Sequence, residues 1–575
     1  MSRAWQRFRE PVVVLLITVF VGLLSTSQRW AGLDTPDSSF YASLSLYGHE
    51  ITDRAPIDSY YWTRLGYIAP VRLMHEAFGT WGGFLAWRML LVLLLTGAIY
   101  VALRRFTGIA SATFLTIIGS LSSVMLSYLG NTYLTGTVLA GTAVAMAAAL
   151  FNGKRAAAVA GLALGWLVMV NPVGALLAGT VWFAVHLQKS LAPPPLRGAP
   201  EQAPATGAER LRTLAVAWVT AAVTAGIAFA ALWLVGRLMF PGLDWLGTYL
   251  ESNARITYSD FASKDAVWLT DISLIVPAAV LVTVAIAWVT HRREQAAQSA
   301  LVISLTSIGF LFVFSPLMGG IPLEAPMYQA MLWPPAMLAL ALVTTMALPE
   351  GKWTALQVAF GVIAVIVVVA CGHAHLEMQL VAGWLLAVAI VAVFLFAGYK
   401  RTAGAILGLA VLLGGAQLIQ NARGDLGLYY LSPYNWAFDA NPISDRIHTA
   451  VNVQEWLLSR TTNADTVLGW VDGDWVGGDR ELYVVAAMQL WGENRVTLEP
   501  TLTDPDGLAR LAQYRPSVIA MYGQSMSAVN AFWASLPARH HATPPECYDF
   551  DWAANPASRF TVTHGHACLT HLTWS

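Results

Sequence analysis

Apolar runs near the length of a bilayer crossing recur from residue 12 to residue 420, separated by short polar connections. Such a pattern predicts a bundle of membrane-spanning helices. Thirteen spans can be read, at 12–28, 82–103, 108–128, 132–152, 156–171, 174–188, 213–235, 272–290, 299–317, 328–348, 354–371, 379–399 and 403–420. The stretch 156–188 is too short for two full crossings, each needing about 20 residues, and Asn171-Pro172 breaks it in the middle. Both flanks are basic, Lys154-Arg155 on one side and Lys189 on the other. Same-sided flanks need an even number of crossings, so two short helices fit better than one tilted helix.

Polar stretches set the sidedness. Segments 1–11, 104–107, 153–155, 189–212, 291–298, 349–353 and 400–402 carry Arg or Lys, whereas the alternate connections near 129–131, 172–173, 318–327 and 372–378 carry none. The positive-inside rule then puts the N-terminus inside and residues 421–575 outside. Positive charge on the outer side is confined to the loops 27–81 and 236–271 and to the tail. The insert 189–212, rich in Pro, Ala and Gly, reads as a disordered cytoplasmic linker. Beyond residue 420 the pattern alternates. Thr466–Val471, Val496–Glu499 and Ser517–Tyr522 look like strands, and Leu482–Trp491, Gly507–Tyr514 and Ser527–Leu536 look like helices. The expected fold is a polytopic α-helical membrane domain, 1–420, followed by a small extracytoplasmic α/β domain, 421–575.

Composition sharpens this picture. Of 575 residues, 56% are hydrophobic and 12% charged, about half the charged share of a soluble protein. Basic residues lie at span ends rather than along one stripe, and the net charge is −1, so nothing points to nucleic acid. The 28 Arg against five Lys, with abundant Ala, suit a GC-rich bacterial genome and hence a bacterial cytoplasmic membrane. Cys371 lies in an apolar run, whereas Cys547 and Cys568 fall in the tail, where an oxidising compartment would let them pair. Closing a loop of that size contributes roughly 3 kcal/mol. The start of the chain, with Arg3, Arg7 and Arg9 before an apolar run and Ser25-Thr26-Ser27, also has the form of a signal peptide. Cleavage there would leave the sidedness of later segments unchanged.

The first outer loop opens Asp34-Thr35-Pro36-Asp37-Ser38-Ser39-Phe40-Tyr41. Pro36 suits the first turn of a surface helix running to about Tyr47. Asp34 and Asp37 either cap that helix and complement its dipole, or one serves as a general base. A carboxylate desolvated at a membrane surface can have its pKa raised toward working pH.

An inside N-terminus, a long outer loop opening Asp-x-x-x-Tyr (Asp37, Tyr41) and a return through Ala77-Phe78-Gly79 resemble the GT-C glycosyltransferases. The branch most resembled is that of protein O-mannosyltransferases and lipid A aminoarabinose transferases. Arg88 at the start of the second span, the break at Asn171-Pro172, the thirteen spans and the outer tail belong to the same resemblance. It implies a sugar donor on a polyprenyl phosphate, a glycan, lipid or protein acceptor, and Asp37 as the base. No nucleotide sugar and no cofactor is implied, with a divalent metal left open. Where related members place a basic residue before Pro-Pro, this chain has Thr63-Arg64-Leu65-Gly66, so Arg64 is the expected phosphate contact.

Two positions depart from the family. Many members carry an acid between spans three and four; Leu129-Gly130-Asn131-Thr132-Tyr133 has Asn131, which can hydrogen-bond a sugar but cannot act as a base. Of the His/Arg-Tyr pair often found between spans nine and ten, only Tyr328 is matched, within Glu324-Ala325-Pro326-Met327-Tyr328. Glu324 either binds sugar hydroxyls or a metal, or is a solvated loop acid.

A departing polyprenyl phosphate leaves negative charge on oxygen, which fixed cations stabilise. Arg255 and Lys264 share a loop with Tyr249, Tyr258 and Trp268, and join Arg64 as expected phosphate ligands; the alternative for each is an interface anchor. Asp472-Gly473-Asp474 through Asp479 lacks the ligand spacing of an EF-hand. His540, His541, His564, His566 and His571 lack a zinc pattern, while 564 and 566 alternate as on one strand face. A transporter or lipid flippase would show mid-span ionisable residues and repeated halves. A non-catalytic envelope-assembly scaffold is the other alternative, kept open by the missing acid. The sugar itself, mannose, arabinose or aminoarabinose, is not specified.

Overall fold

The computed structural model describes residues 3–26, 41, 44–45, 59–120, 125, 128–129, 134–191, 207–241, 244–255, 272–291, 294–315, 328, 330–346, 453, 456–457, 459–462, 465–471, 495–498, 515–523, 525–536, 540–551 and 564–574. Helices α1 (Arg3–Thr26), α2 (Ser59–Trp62), α3 (Leu65–Arg104), α4 (Ile109–Ser120), α5 (Thr135–Ala149), α6 (Lys154–Val170) and α7 (Pro172–Leu191) come first. They are followed by α8 (Gly207–Met239), α9 (Trp245–Arg255), α10 (Ile272–His291), α11 (Gln295–Phe314) and α12 (Trp333–Thr345). A described helix overlaps each expected span from 12–28 to 328–348. Those at 354–371, 379–399 and 403–420 lie outside the described residues. By length and composition, three helical stretches among the described residues can cross a membrane: Gly82–Arg104, Ala208–Met239 and Gln295–Phe314.

Two breaks shape the bundle. Asn171 is extended between α6 and α7, and its side-chain oxygen accepts from the N–H groups of Val173 (3.0 Å) and Gly174 (3.4 Å). Pro172 behind this cap occupies a first-turn position where its missing N–H costs nothing. The second break is Gly79, whose φ of 73° and ψ of 177° interrupt α3. Only glycine adopts this conformation readily. The segment before it, expected within a polar loop, is helical and buries Leu65, Tyr67, Ile68, Ala69 and Val71.

Helix contacts combine close backbones with a few polar ties. Gly161 and Gly165 turn their bare faces toward Ala221 and Ala225, letting α6 and α8 approach as small residues permit in membranes. Thr18 and Thr96 share a buried hydrogen bond of 2.9 Å between α1 and α3. Arg104 and Glu10 form an ion pair of 2.8 Å between the same helices. Lys189 donates to the carbonyls of Ala149 (2.9 Å) and Phe151 (3.1 Å), meeting carbonyls left over at the end of α5.

The tail holds a mixed sheet of β1 (Thr466–Val471), β2 (Arg495–Leu498), β3 (Val518–Gly523), β4 (His540–Ala542), β5 (Glu546–Asp551) and β6 (His564–Trp574). Its order is β2-β1-β3-β6-β4, with β5 also paired to β6. β1 runs parallel to β2 and to β3, which demands crossover connections. The helices expected at 482–491 and 507–514 fall in those connections, outside the described residues. Helix α13 (Met526–Ser535) is capped by Ser525, whose hydroxyl accepts from the Ala528 N–H at 3.2 Å. Strand alternation splits the sheet into two apolar faces. Leu468, Trp470, Ile519, Met521 and Cys568 pack with Val529 and Phe532 of α13. Val467, Val518, Ala520, Tyr522 and Leu569 belong to the same core cluster as the helices.

Candidate active site

Arg64 occupies the corner between α2 and α3, only 5% exposed. Its N–H donates to the Tyr61 carbonyl (3.2 Å), and its own carbonyl accepts from the N–H groups of Tyr67 and Ile68. The corner is lined with aromatic rings because neighbouring helices each send one in. The Tyr41 ring meets Tyr61 edge-on with centroids 5.4 Å apart, and Tyr67 at 6.1 Å. Trp62 stacks on Phe240 at 5.6 Å. The Arg64 guanidinium carbon lies 5.6 Å from the centre of the Tyr249 ring.

Two indoles reach the backbone of this corner. Trp245 of α9 donates to the Thr63 carbonyl at 2.7 Å, and Trp166 of α6 donates to the Gly66 carbonyl at 2.7 Å. Below them, Tyr67 packs edge-on against Trp87, which packs edge-on against Trp166. Arg88, 2% exposed, stands close enough to Tyr67 to act on it electrostatically. Burial pushes the Tyr67 phenol well above its ordinary range, and the Arg88 guanidinium pulls it the other way.

The expected site residues divide into three groups. Tyr41 and Arg64 come together through Tyr61, and Tyr41, Leu44 and Ser45 are all helical and buried. Their spacing of three and four places them on one helix face, and Ser45 approaches His75 at 3.4 Å. Arg255 ends α9, and Tyr328 is half-buried against the main core. Asp37, Asn131, Lys264 and Glu324 lie outside the described residues. Trp166 and Trp245 carry no local signal in the sequence, because they act over separations of 100 and 182 residues respectively.

Cys547 and Cys568 form a disulfide between opposed positions of β5 and β6. The next pairs on the same strand faces are Asp549 with His566 (2.6 Å) and Asp551 with His564 (2.7 Å). Among the described residues, no group of three or more His, Cys, Asp or Glu side chains is arranged to hold a metal ion.

No protein-family model matches the chain, and neither does any curated protein sequence. Among solved structures, ArnT from Cupriavidus metallidurans bound to undecaprenyl phosphate aligns with a TM-score of 0.50 at 15% identity, over 99% of this chain and 98% of that one. The chain shares the fold of that ArnT. The same ArnT in its apo state gives a TM-score of 0.45 at 14% identity, with coverage of 99% and 98%. An oligosaccharyltransferase from Archaeoglobus fulgidus gives 0.39 at 10% identity, over 94% of this chain and 70% of that one. At such identities the likeness concerns the fold. In this fold, the aromatic corner around Arg64 is formed by α2 and the start of α3, with rings contributed by α6 and α9 and by Phe240 just past α8.

Proposed function

We propose that the protein is an inverting glycosyltransferase that takes a sugar from a polyprenyl phosphate and passes it to a cell-envelope acceptor. The observation that carries this reading is the buried Arg64 at the head of α3 in a GT-C fold aligned along its whole length with ArnT, a protein solved with undecaprenyl phosphate. A guanidinium offers paired N–H donors to phosphate oxygens, and the positive end of a helix adds to the attraction. Asp37, four residues ahead of Tyr41 in the sequence, takes the role of base. It removes the acceptor's hydroxyl proton as that oxygen bonds to the anomeric carbon. The bond from that carbon to the phosphate oxygen breaks, and the electron pair stays on the phosphate, facing Arg64 with Arg255 and Lys264 as further ligands. Tyr41, Asn131, Glu324 and Tyr328 contribute to holding sugar and acceptor. The reaction is assigned to the outer face of the cytoplasmic membrane, and the tail shapes the acceptor groove.

The test is mass spectrometry of envelope glycans and glycolipids from a deletion strain complemented with wild type, Asp37→Asn or Arg64→Ala. One glycan should disappear on deletion and return only with the wild-type chain. Full restoration by Asp37→Asn removes the base assignment, and an unchanged glycan profile on deletion removes the enzymatic reading. Transfer that persists in EDTA would fit a reaction without a metal; its loss would bring Glu324 and Asp37 forward as metal ligands.

A further inference from the structure

We propose that Trp245 and Tyr249 of α9 are positioning residues for Arg64, fixing both its backbone and its guanidinium for contact with the donor phosphate. The inference rests on the phosphate role given to Arg64 above. An indole has one N–H to donate, and a buried donor must find an acceptor. Trp245, 6% exposed, spends that donor on the Thr63 carbonyl, immediately before Arg64. One helical turn later, Tyr249 stacks on Trp245 with centroids 5.4 Å apart and planes within 4°. The Tyr249 ring in turn faces the Arg64 guanidinium. Phe229 of α8 holds Trp245 from its edge at 5.3 Å.

These contacts have complementary effects. The hydrogen bond to Thr63, with that of Trp166 to Gly66, pins the peptide groups on both sides of Arg64, so the side chain departs from a fixed point. An aromatic face stabilises the cation through its π-electrons and does not itself take up an N–H donor. α9 therefore works as a clamp on a residue far from it in sequence.

The experiment measures binding of undecaprenyl phosphate to the purified full-length protein, together with kcat and KM for the polyprenyl-linked donor. Trp245→Phe keeps the ring and deletes the N–H. Tyr249→Leu deletes the ring, and Tyr249→Phe retains it. Losing one hydrogen bond should weaken binding by about 3- to 10-fold. Losing the cation–π contact should weaken it by roughly 2- to 5-fold, with Tyr249→Phe restoring it. KM for the donor should rise by more than kcat falls. In an Arg64→Ala background, Trp245→Phe should have no further effect, because it acts through the arginine. An equal loss in that background, or none in the wild-type background while Arg64→Ala abolishes binding, overturns the positioning role alone. Wild-type affinity in Arg64→Ala overturns the phosphate role of Arg64, and the positioning role with it.

Discussion

Gly161 on α6 lies so near the backbone of Ala221 on α8 that a Cβ at the glycine would meet the alanine's carbonyl oxygen. Gly165 meets Ala225 in the same way one turn on. The two helices therefore touch main chain to main chain, and α8 is the element that carries Phe229 to Trp245. Gly165→Leu should lower stability by about 1–3 kcal/mol through overpacking, read as a drop in melting temperature in detergent. Gly226→Ala on α8 is the contrast, since nothing lies within 4 Å of a Cβ there. It should be neutral or raise stability by about 0.5–1 kcal/mol.

Asn171 should matter through its side-chain oxygen. Asn171→Ala strips the cap from α7 and is expected to cost about 1 kcal/mol, while Asn171→Ser retains most of it. Thermal denaturation of the two variants side by side checks this.

Asp465 ties the start of β1 to the start of β3. It accepts from the Thr462 N–H (2.7 Å), the Thr462 hydroxyl (2.9 Å) and the Ser517 hydroxyl (2.9 Å). Burial works against its charge, yet these donors hold its carboxyl below the usual range. A carboxylate depressed on folding contributes fully above its unfolded pKa, near 4, and loses that contribution as pH falls through the lower folded value. Wild type should therefore lose stability on acidification below about pH 4, and Asp465→Asn should lose less over that window. Near-UV circular dichroism followed down the pH scale reads the difference.

The Cys547–Cys568 bridge joins β5 to β6 through cysteines 21 residues apart in sequence. Cys547→Ser with Cys568→Ser should destabilise the tail by about 2–4 kcal/mol, measured as protease resistance of that region. Thiol labelling of intact cells, with and without reductant, reports whether the pair is oxidised in place and so on which side of the membrane the tail lies.

Much of the helical bundle could be read directly from the chain. Long apolar runs have few alternatives to a helix in lipid, and Asn171-Pro172 announced its own break. The helix from Leu65 to Phe78 was harder to see. Leu65, Ile68, Val71 and His75 carry a helical period, but Arg72 and Glu76, an exposed ion pair of 3.2 Å on another face, made the segment look like a polar loop. In the tail, β1 is legible over its full extent and His564 with His566 mark the start of β6, whereas the acids of β5 and the threonines later in β6 obscure the alternation. At the candidate site, Arg64 and Tyr41 stood out through the resemblance. The indoles that pin Thr63 and Gly66 did not, because a hydrogen bond from another helix leaves no trace in the local spacing.

The inner face of the tail's sheet has a consequence for how such proteins change over time. Val467, Val518, Ala520 and Leu569 belong to a cluster that also holds Val453 and Leu457 of the tail and runs on into the helices. Apolar contact thus continues from the tail's sheet into the bundle, and a foreign tail grafted there would have to supply matching side chains. Recombination should exchange them together or not at all.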